Sequence, residues 1–386
     1  MIYLDNAATT PMSSESLKIF NQYASIDFFN PSAKYFSAIE ISQKIDNAKK
    51  TIIKALGGRE HSNIVFTSSA TESNNLAVFG TLRKNFRKLV FSSAEHASIK
   101  NIAQELQALG YEVEFVPLQE NGEIDYKVLE EVLDDRTDFI SVIHVSNETG
   151  AINDLKRISE IKQKKCPKAI FHADGVQAFS KIKVNLSYFG VDLYTISAHK
   201  MFGPKGISAL YVVGGLYIKP LIYGGGQENG IRSGTENVPA VLAFEHAVNE
   251  IGNVKENLEH VYSLKKEFID NLDCYYKLNS KDNCSPYIIS LSFRGVKGET
   301  LLHMLEEQQI YISTGSACSS KKSGNSVLSA MNIEHELIEG SVRISFSKHT
   351  TKQQAKQAAI TLSNCYKRLL EKLSWFMNKV IILRYG

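Results

Sequence analysis

The feature that most restricts what this chain can fold into is an alternation of two patterns along its first half. Short apolar runs at residues 63–67, 88–92, 113–117, 139–145 and 191–196 read as strands, and a further run ends near Phe171. Between and before them lie segments of helical periodicity. Ile41, Ile45, Ala48, Ile52 and Ile53 recur at helical spacing up to the Gly57-Gly58 stop, and residues 126–133 and 154–165 read the same way. Strands that alternate with helices describe an α/β fold. At 386 residues the chain can bury a large core and divide into two domains.

The run at 191–196 leads into Ser197-Ala198-His199-Lys200-Met201-Phe202-Gly203-Pro204-Lys205-Gly206. A lysine placed where a strand gives way to a Gly/Pro loop sits at the edge of the core, where partial desolvation favours the free amine that Schiff-base chemistry needs. Asp174 ends the preceding apolar run, about one strand-loop-strand unit upstream. An acid for a pyridinium nitrogen and a lysine for an aldehyde carbon are what a pyridoxal 5'-phosphate (PLP) site requires. Taken singly, a surface lysine and a loop-capping aspartate explain the two residues as well.

Other stretches carry chemistry of their own. The run at 63–67 enters Ser68-Ser69-Ala70-Thr71-Glu72-Ser73-Asn74-Asn75. A helix start there aims free N–H groups and a positive dipole end at an anion. The competing reading is an ordinary cap through the Thr71 hydroxyl. Cys318 lies in a small, polar segment with Lys321 and Lys322 nearby, a setting that favours an exposed thiolate over a core cysteine. Arg343 sits in the alternating run 341–345, where its planar fork must meet an anion, either a bound carboxylate or a structural acid.

Composition narrows the partners. With 43% hydrophobic and 22% charged residues and a net charge of +3, the chain is an ordinary globular protein with no argument for nucleic acid or a membrane surface. No apolar run approaches the roughly 20 residues that span a bilayer. The opening Ile2-Tyr3-Leu4-Asp5 shows neither a basic nor an apolar leader pattern, so export is not expected, and five scattered cysteines without a CxxC pair argue against a disulfide framework or a zinc site. A reducing cytoplasm is the expected compartment. The apolar stretch 375–383 is expected to pack on the second domain or to meet a partner protein.

Together these motifs resemble the class V aminotransferase family of fold-type I PLP enzymes, and within it the cysteine desulfurases of the NifS/IscS kind. The resemblance runs from Tyr3-Leu4-Asp5-Asn6-Ala7-Ala8-Thr9-Thr10-Pro11 to Ser341-Val342-Arg343. It implies a large PLP-binding domain, residues 15–255, with a mostly parallel sheet flanked by helices. A smaller α+β domain, residues 1–14 and 256–386, would carry the catalytic cysteine loop. By the same resemblance Lys200 tethers PLP, Asp174 keeps the ring nitrogen protonated, and His96 stacks on the ring and shuttles protons. Asn147 and Gln177 lie near the phenolic oxygen, and Ala70, Thr71, Ser197 and His199 hold the phosphate.

The glycine-rich segment 224–237 resembles one that crosses to a neighbouring subunit, so Thr235 would reach the partner's phosphate in a symmetric homodimer. Asn30, Asn147 and Arg343 match substrate-holding residues, and Cys318 matches the persulfide-bearing cysteine in its longer-loop setting. The chain departs from the family at Tyr35 and Ala38, where a histidine and a glycine are usual, and at Ser146, where many relatives have a second asparagine. The implied activity is an L-cysteine desulfurase that yields L-alanine and a Cys318 persulfide for an acceptor protein, such as an iron-sulfur scaffold or a tRNA-thiolation enzyme. Its rivals are a selenocysteine lyase or another class V lyase or aminotransferase, in which Cys318 is incidental, and a non-catalytic PLP-retaining scaffold. Neither a metal site nor direct nucleic-acid or membrane binding is implied.

Overall fold

The computed structural model describes residues 1–83, 85, 87–314 and 326–385. Cys318, Lys321 and Lys322 lie outside them. At the centre is a seven-stranded sheet in the spatial order Asn63–Thr67, Ser208–Val212, Leu193–Ser197, Ile170–Asp174, Thr137–Ile143, Lys88–Ser92, Glu112–Val116. Ser208–Val212 runs against both its neighbours, and the other strands run together. The expected mostly parallel sheet is therefore present.

Its inner strands are apolar runs because helices cover both faces. Successive residues point to opposite sides. Ile140 and Tyr194 thus join a core that includes Ile41, Ile45 and Phe244, while Phe139 and Leu193 join one that includes Leu76, Ile99 and Ile102. The helices start where short polar side chains can take up orphan N–H groups. Asp125, Asp154 and Asn237 accept from the first turns of Tyr126–Val132, Leu155–Lys165 and Val238–Asn249.

A separate core forms around an antiparallel sheet ordered Ser313–Thr314, Ser341–Ser345, Ile288–Ser292, Lys277–Leu278. The helical stretch 238–272 reads from sequence as one link between the domains, but it is two helices, Val238–Asn249 and Val254–Asp270. Gly252 takes a left-handed φ of +71° between them, and the Asn253 side chain caps the second. Val248 belongs to a core of the large sheet and Val261 to the core of the small one. The C-terminal helix Lys352–Tyr385 packs Ala355, Ala358, Ala359 and Leu362 on that second core; side chains beyond residue 372 lie outside the described set. Among the described residues no helix is long and apolar enough to cross a membrane.

The N-terminal segment joins the two units. Ile2–Tyr3 pairs with Ile310–Tyr311, Ala7 N–H donates to Ser345 Oγ at 2.9 Å, and Thr10 N–H donates to the His199 carbonyl at 2.9 Å. Residues 5–10 are thereby strung from the small sheet to the loop that holds Lys200.

Candidate active site

Thr67, Ser92, Ile143, Asp174 and Ser197 end five strands that run the same way, so they finish at one edge of the sheet. In open α/β sheets that edge is where ligands sit. The segments leaving these strands carry Ala70 and Thr71, His96, Asn147, Gln177 and Lys200. Chain direction alone gathers residues that are far apart in sequence.

Asp174 is buried at the floor of this edge. Its carboxylate accepts from Asn74 Nδ2 at 3.0 Å and from Val176 N–H at 3.0 Å, and no cationic side chain pairs with it among the described residues. Gly175 follows because a Cβ there would collide with the Tyr194 ring. Asn74 also donates to Ser98 Oγ at 2.8 Å, which ties helix Ala70–Phe79 to helix Ala97–Ala108. Its Oδ1 is buried without a partner.

His96 caps the second of these helices. Its Nδ1 accepts Ser98 N–H at 3.1 Å, so the neutral ring carries its hydrogen on Nε2. Burial pushes this imidazole below its ordinary pKa, against the pull of Asp174, which keeps it neutral at neutral pH.

Lys200 follows strand Leu193–Ser197 directly, in the single 3-10 turn Ala198–Lys200. Its Nζ donates to the carbonyls of Ala7 and Ala8, both at 2.6 Å. Gln177 Nε2 donates to the same Ala7 carbonyl at 2.8 Å. His199 Nδ1 lies 3.1 Å from Thr9 Oγ1, and burial with the Lys200 charge pushes it down to about 4. The Ser197 hydroxyl accepts from Ser208 Oγ at 2.8 Å and keeps its own hydrogen to donate.

Arg343 arrives from the antiparallel sheet, on strand Ser341–Ser345. Its Nη2 meets Asp5 Oδ1 at 2.9 Å, its Nη1 donates to the Asn147 carbonyl at 2.9 Å, and its Nε is buried without a partner. The structural acid weighed against a bound carboxylate therefore exists, and it is Asp5. The orphaned Nε leaves the guanidinium a donor to offer.

At the start of helix Ala70–Phe79 the cap is Ser69, whose side chain accepts from Glu72 N–H at 3.2 Å. It replaces the Thr71 cap read from sequence, because the helix begins two residues earlier than that reading requires. Glu72 accepts Ser68 N–H at 2.7 Å and pairs with Arg232 at 2.8 Å. The Ala70 and Thr71 N–H groups precede the first intrahelical bonds and stay available to an anion.

Among the described residues, two of the sequence-predicted ones share no hydrogen bond with this cluster. Asn30 is exposed and its Oδ1 accepts from Ser32 N–H within its own turn at 2.9 Å. Thr235 is exposed beside the Arg232 anchor. Cys318 lies outside the described residues. Sequence reasoning missed Asp5, the Ala7 and Ala8 carbonyls, Asn74 and Lys181. A carbonyl oxygen has no residue signature, and nothing in the local sequence distinguishes Asn74 from its neighbour Asn75.

A buried carboxylate without a cationic partner among the described residues, free N–H groups at a helix start and a lysine leaving a strand at the same sheet edge fit the ring nitrogen, phosphate and aldehyde of PLP. Among the described residues no group of His, Cys, Asp or Glu is arranged to hold a metal ion.

Two more histidines are buried, His172 within strand Ile170–Asp174 and His144 just past strand Thr137–Ile143. His172 bonds Ser141 and Thr195, at 2.9 and 3.1 Å, and burial pushes it down to about 4. His144 bonds Tyr194 at 2.7 Å and is pushed down to about 3. A histidine that stays neutral when folded but charges when unfolded below about pH 6.5 makes stability fall with falling pH until the folded pKa is reached. We expect wild type to lose stability relative to His172→Gln on the order of 1 kcal/mol per pH unit between about pH 6.5 and 4. Urea unfolding at stepped pH measures this, and a difference that stays flat would contradict the neutral buried ring.

A model of the family described as aminotransferase class-V matches residues 2–357. The chain belongs to the class-V aminotransferase family. Within that family it is 36% identical to a protein named cysteine desulfurase IscS from Dictyoglomus turgidum, across 98% of each chain. The solved structure of a NifS-like protein superposes with a TM-score of 0.89 at 30% identity, over 95% of this chain and 99% of that one. A structure of SspA in complex with cysteine gives a TM-score of 0.80 at 29% identity, over 91% of this chain and 100% of that one. This class-V chain is of the NifS/IscS kind, as its motifs imply.

Proposed function

We propose that this class-V chain is an L-cysteine desulfurase that uses PLP, releases L-alanine and leaves the substrate sulfur on Cys318 as a persulfide. The observation that carries the reading is the meeting of Asp174, His96 and Lys200 at one sheet edge with Arg343, which reaches them across residues 5–8. Relatives named cysteine desulfurase, and a neighbour solved with cysteine, support the same reading.

Bound at this edge, PLP supplies an electron sink for the bond to the substrate α-hydrogen. Lys200 Nζ holds the cofactor's aldehyde carbon at rest and moves the α-proton. Asp174 holds the ring N–H, Asn147 and Gln177 lie at the phenolic oxygen, and Ala70, Thr71, Ser197 and His199 hold the phosphate. In a homodimer Thr235 of a second copy completes that phosphate site. Arg343 and Asn30 hold the substrate so that its sulfur faces the segment of Cys318. The Cys318 thiolate attacks that sulfur, and the C–S bond breaks with its electron pair staying on carbon. A proton, for which His96 Nε2–H is the near carrier, converts that carbon to the methyl of alanine.

Sulfur passes next to an acceptor protein such as an iron-sulfur scaffold or a tRNA-thiolation enzyme. The described cysteines, Cys166, Cys274, Cys284 and Cys365, are free thiols, which suits a reducing cytoplasm.

Purified protein given PLP, L-cysteine and a reductant should release alanine and sulfide in equal amounts. Absence of both rejects the assignment. Arg343→Ala should raise the KM for cysteine by about tenfold to a hundredfold, the scale of a lost charge-assisted bond, with a smaller change in kcat. An unchanged KM would return Arg343 to a purely structural pairing with Asp5.

A further inference from the structure

We infer that Lys181 is a positioning residue for the cofactor site, holding the Gln177 amide so that its NH2 group, and not its oxygen, is presented towards Lys200. The inference rests on the PLP reading above.

Lys181 is buried, with 6% of its surface exposed. Its Nζ donates to Gln177 Oε1 at 2.7 Å, and no carboxylate pairs with it among the described residues. Burial, Lys200 and Arg343 all act against its charge and lower its pKa. A buried ammonium without an acid is expensive, and an apolar residue of similar length would fill the space at less cost. The preceding residue, Ser180, takes a left-handed φ of +72°, a strained conformation for a non-glycine residue. Strain and an uncompensated charge in adjacent residues, beside a cofactor site, point to a task beyond packing.

The task follows from donor chemistry. An ammonium offers donors only, so the amide atom that faces it must be the oxygen. The other end, Nε2, then faces the Ala7 carbonyl at 2.8 Å, the same carbonyl that Lys200 Nζ reaches at 2.6 Å. The phenolic oxygen of PLP is an acceptor, and it needs the NH2 end. Without Lys181 the amide keeps only the neutral Ala7 carbonyl to select its NH2 end and loses the stronger, charge-assisted of its two anchors. Lys181 also lines a cavity of about 650 Å³ with Lys200, Tyr3, Thr10, Lys348 and His349, which leaves room for a longer donor side chain.

The test is PLP binding to the full-length, PLP-depleted protein at pH 6.5, followed by absorbance and fluorescence. Lys181→Met should raise the dissociation constant about tenfold, the scale of one hydrogen bond to a charged group. Lys181→Arg should recover most of that loss. In a Gln177→Leu background Lys181→Met should add nothing, because the lysine acts through the amide. The thermal midpoint of PLP-free Lys181→Met should equal or exceed that of wild type. Wild-type affinity in Lys181→Met overturns the inference, as does a further loss in the double variant or a fall in the PLP-free midpoint. A wild-type protein that takes up no PLP instead overturns the desulfurase reading beneath it.

Discussion

Lys200→Ala is expected to stop alanine formation from L-cysteine, by about four orders of magnitude, while the fold survives. The size follows from the two roles proposed for one nitrogen, anchoring the aldehyde carbon and moving the α-proton. The other lysine in the same cluster cannot stand in, because the Lys181 amine is turned to Gln177. The fold survives because Lys200 is only half-buried, and the carbonyls it leaves, Ala7 and Ala8, include one still bonded to Gln177. Mass spectrometry after borohydride reduction gives an independent check. Wild type should carry a PLP label on the peptide that contains Lys200, and the variant should carry none. Turnover within tenfold of wild type would remove Lys200 from the chemistry.

Cys318→Ala should keep bound PLP and its colour yet lose cysteine-dependent sulfide release by at least about a hundredfold. The structure contributes to this expectation through the other thiols. Burial pushes Cys166 and Cys284 up to about 11, and it raises Cys274 and Cys365 as well. A thiol above its ordinary pKa is mostly protonated at neutral pH and is a poor nucleophile. None of the four can replace Cys318 as the sulfur acceptor. Alanine release from cysteine and from selenocysteine, measured with and without Cys318, separates the desulfurase from a lyase. If both substrates react equally well in Cys318→Ala, the thiol has no part in the reaction.

Several features of the fold were legible before any tertiary information. The runs at 63–67, 88–92 and 139–145 carry consecutive apolar residues because helices cover both sheet faces. The break in 238–272 was harder to see, because apolar residues recur through it at helical spacing. Only the left-handed Gly252 and the Asn253 cap mark the end of one helix and the start of the next. At the helix start after Thr67, Ser68, Ser69 and Thr71 could each cap, and the helical backbone from Ala70 onward decided in favour of Ser69.

What the amino-acid sequence determined by itself is the α/β alternation and the placing of an acid at 174 and a lysine at 200 at the ends of apolar runs, because apolar spacing and reactive side chains are written residue by residue. Tertiary structure alone decided that residues 5–8 lie between Lys200 and Arg343, that Asp5 is the acid Arg343 meets, and that Lys181 faces Gln177. Those are meetings of backbone carbonyls and distant side chains, and they exist only once parallel strands bring their ends to one edge and the N-terminus is paired into the second domain.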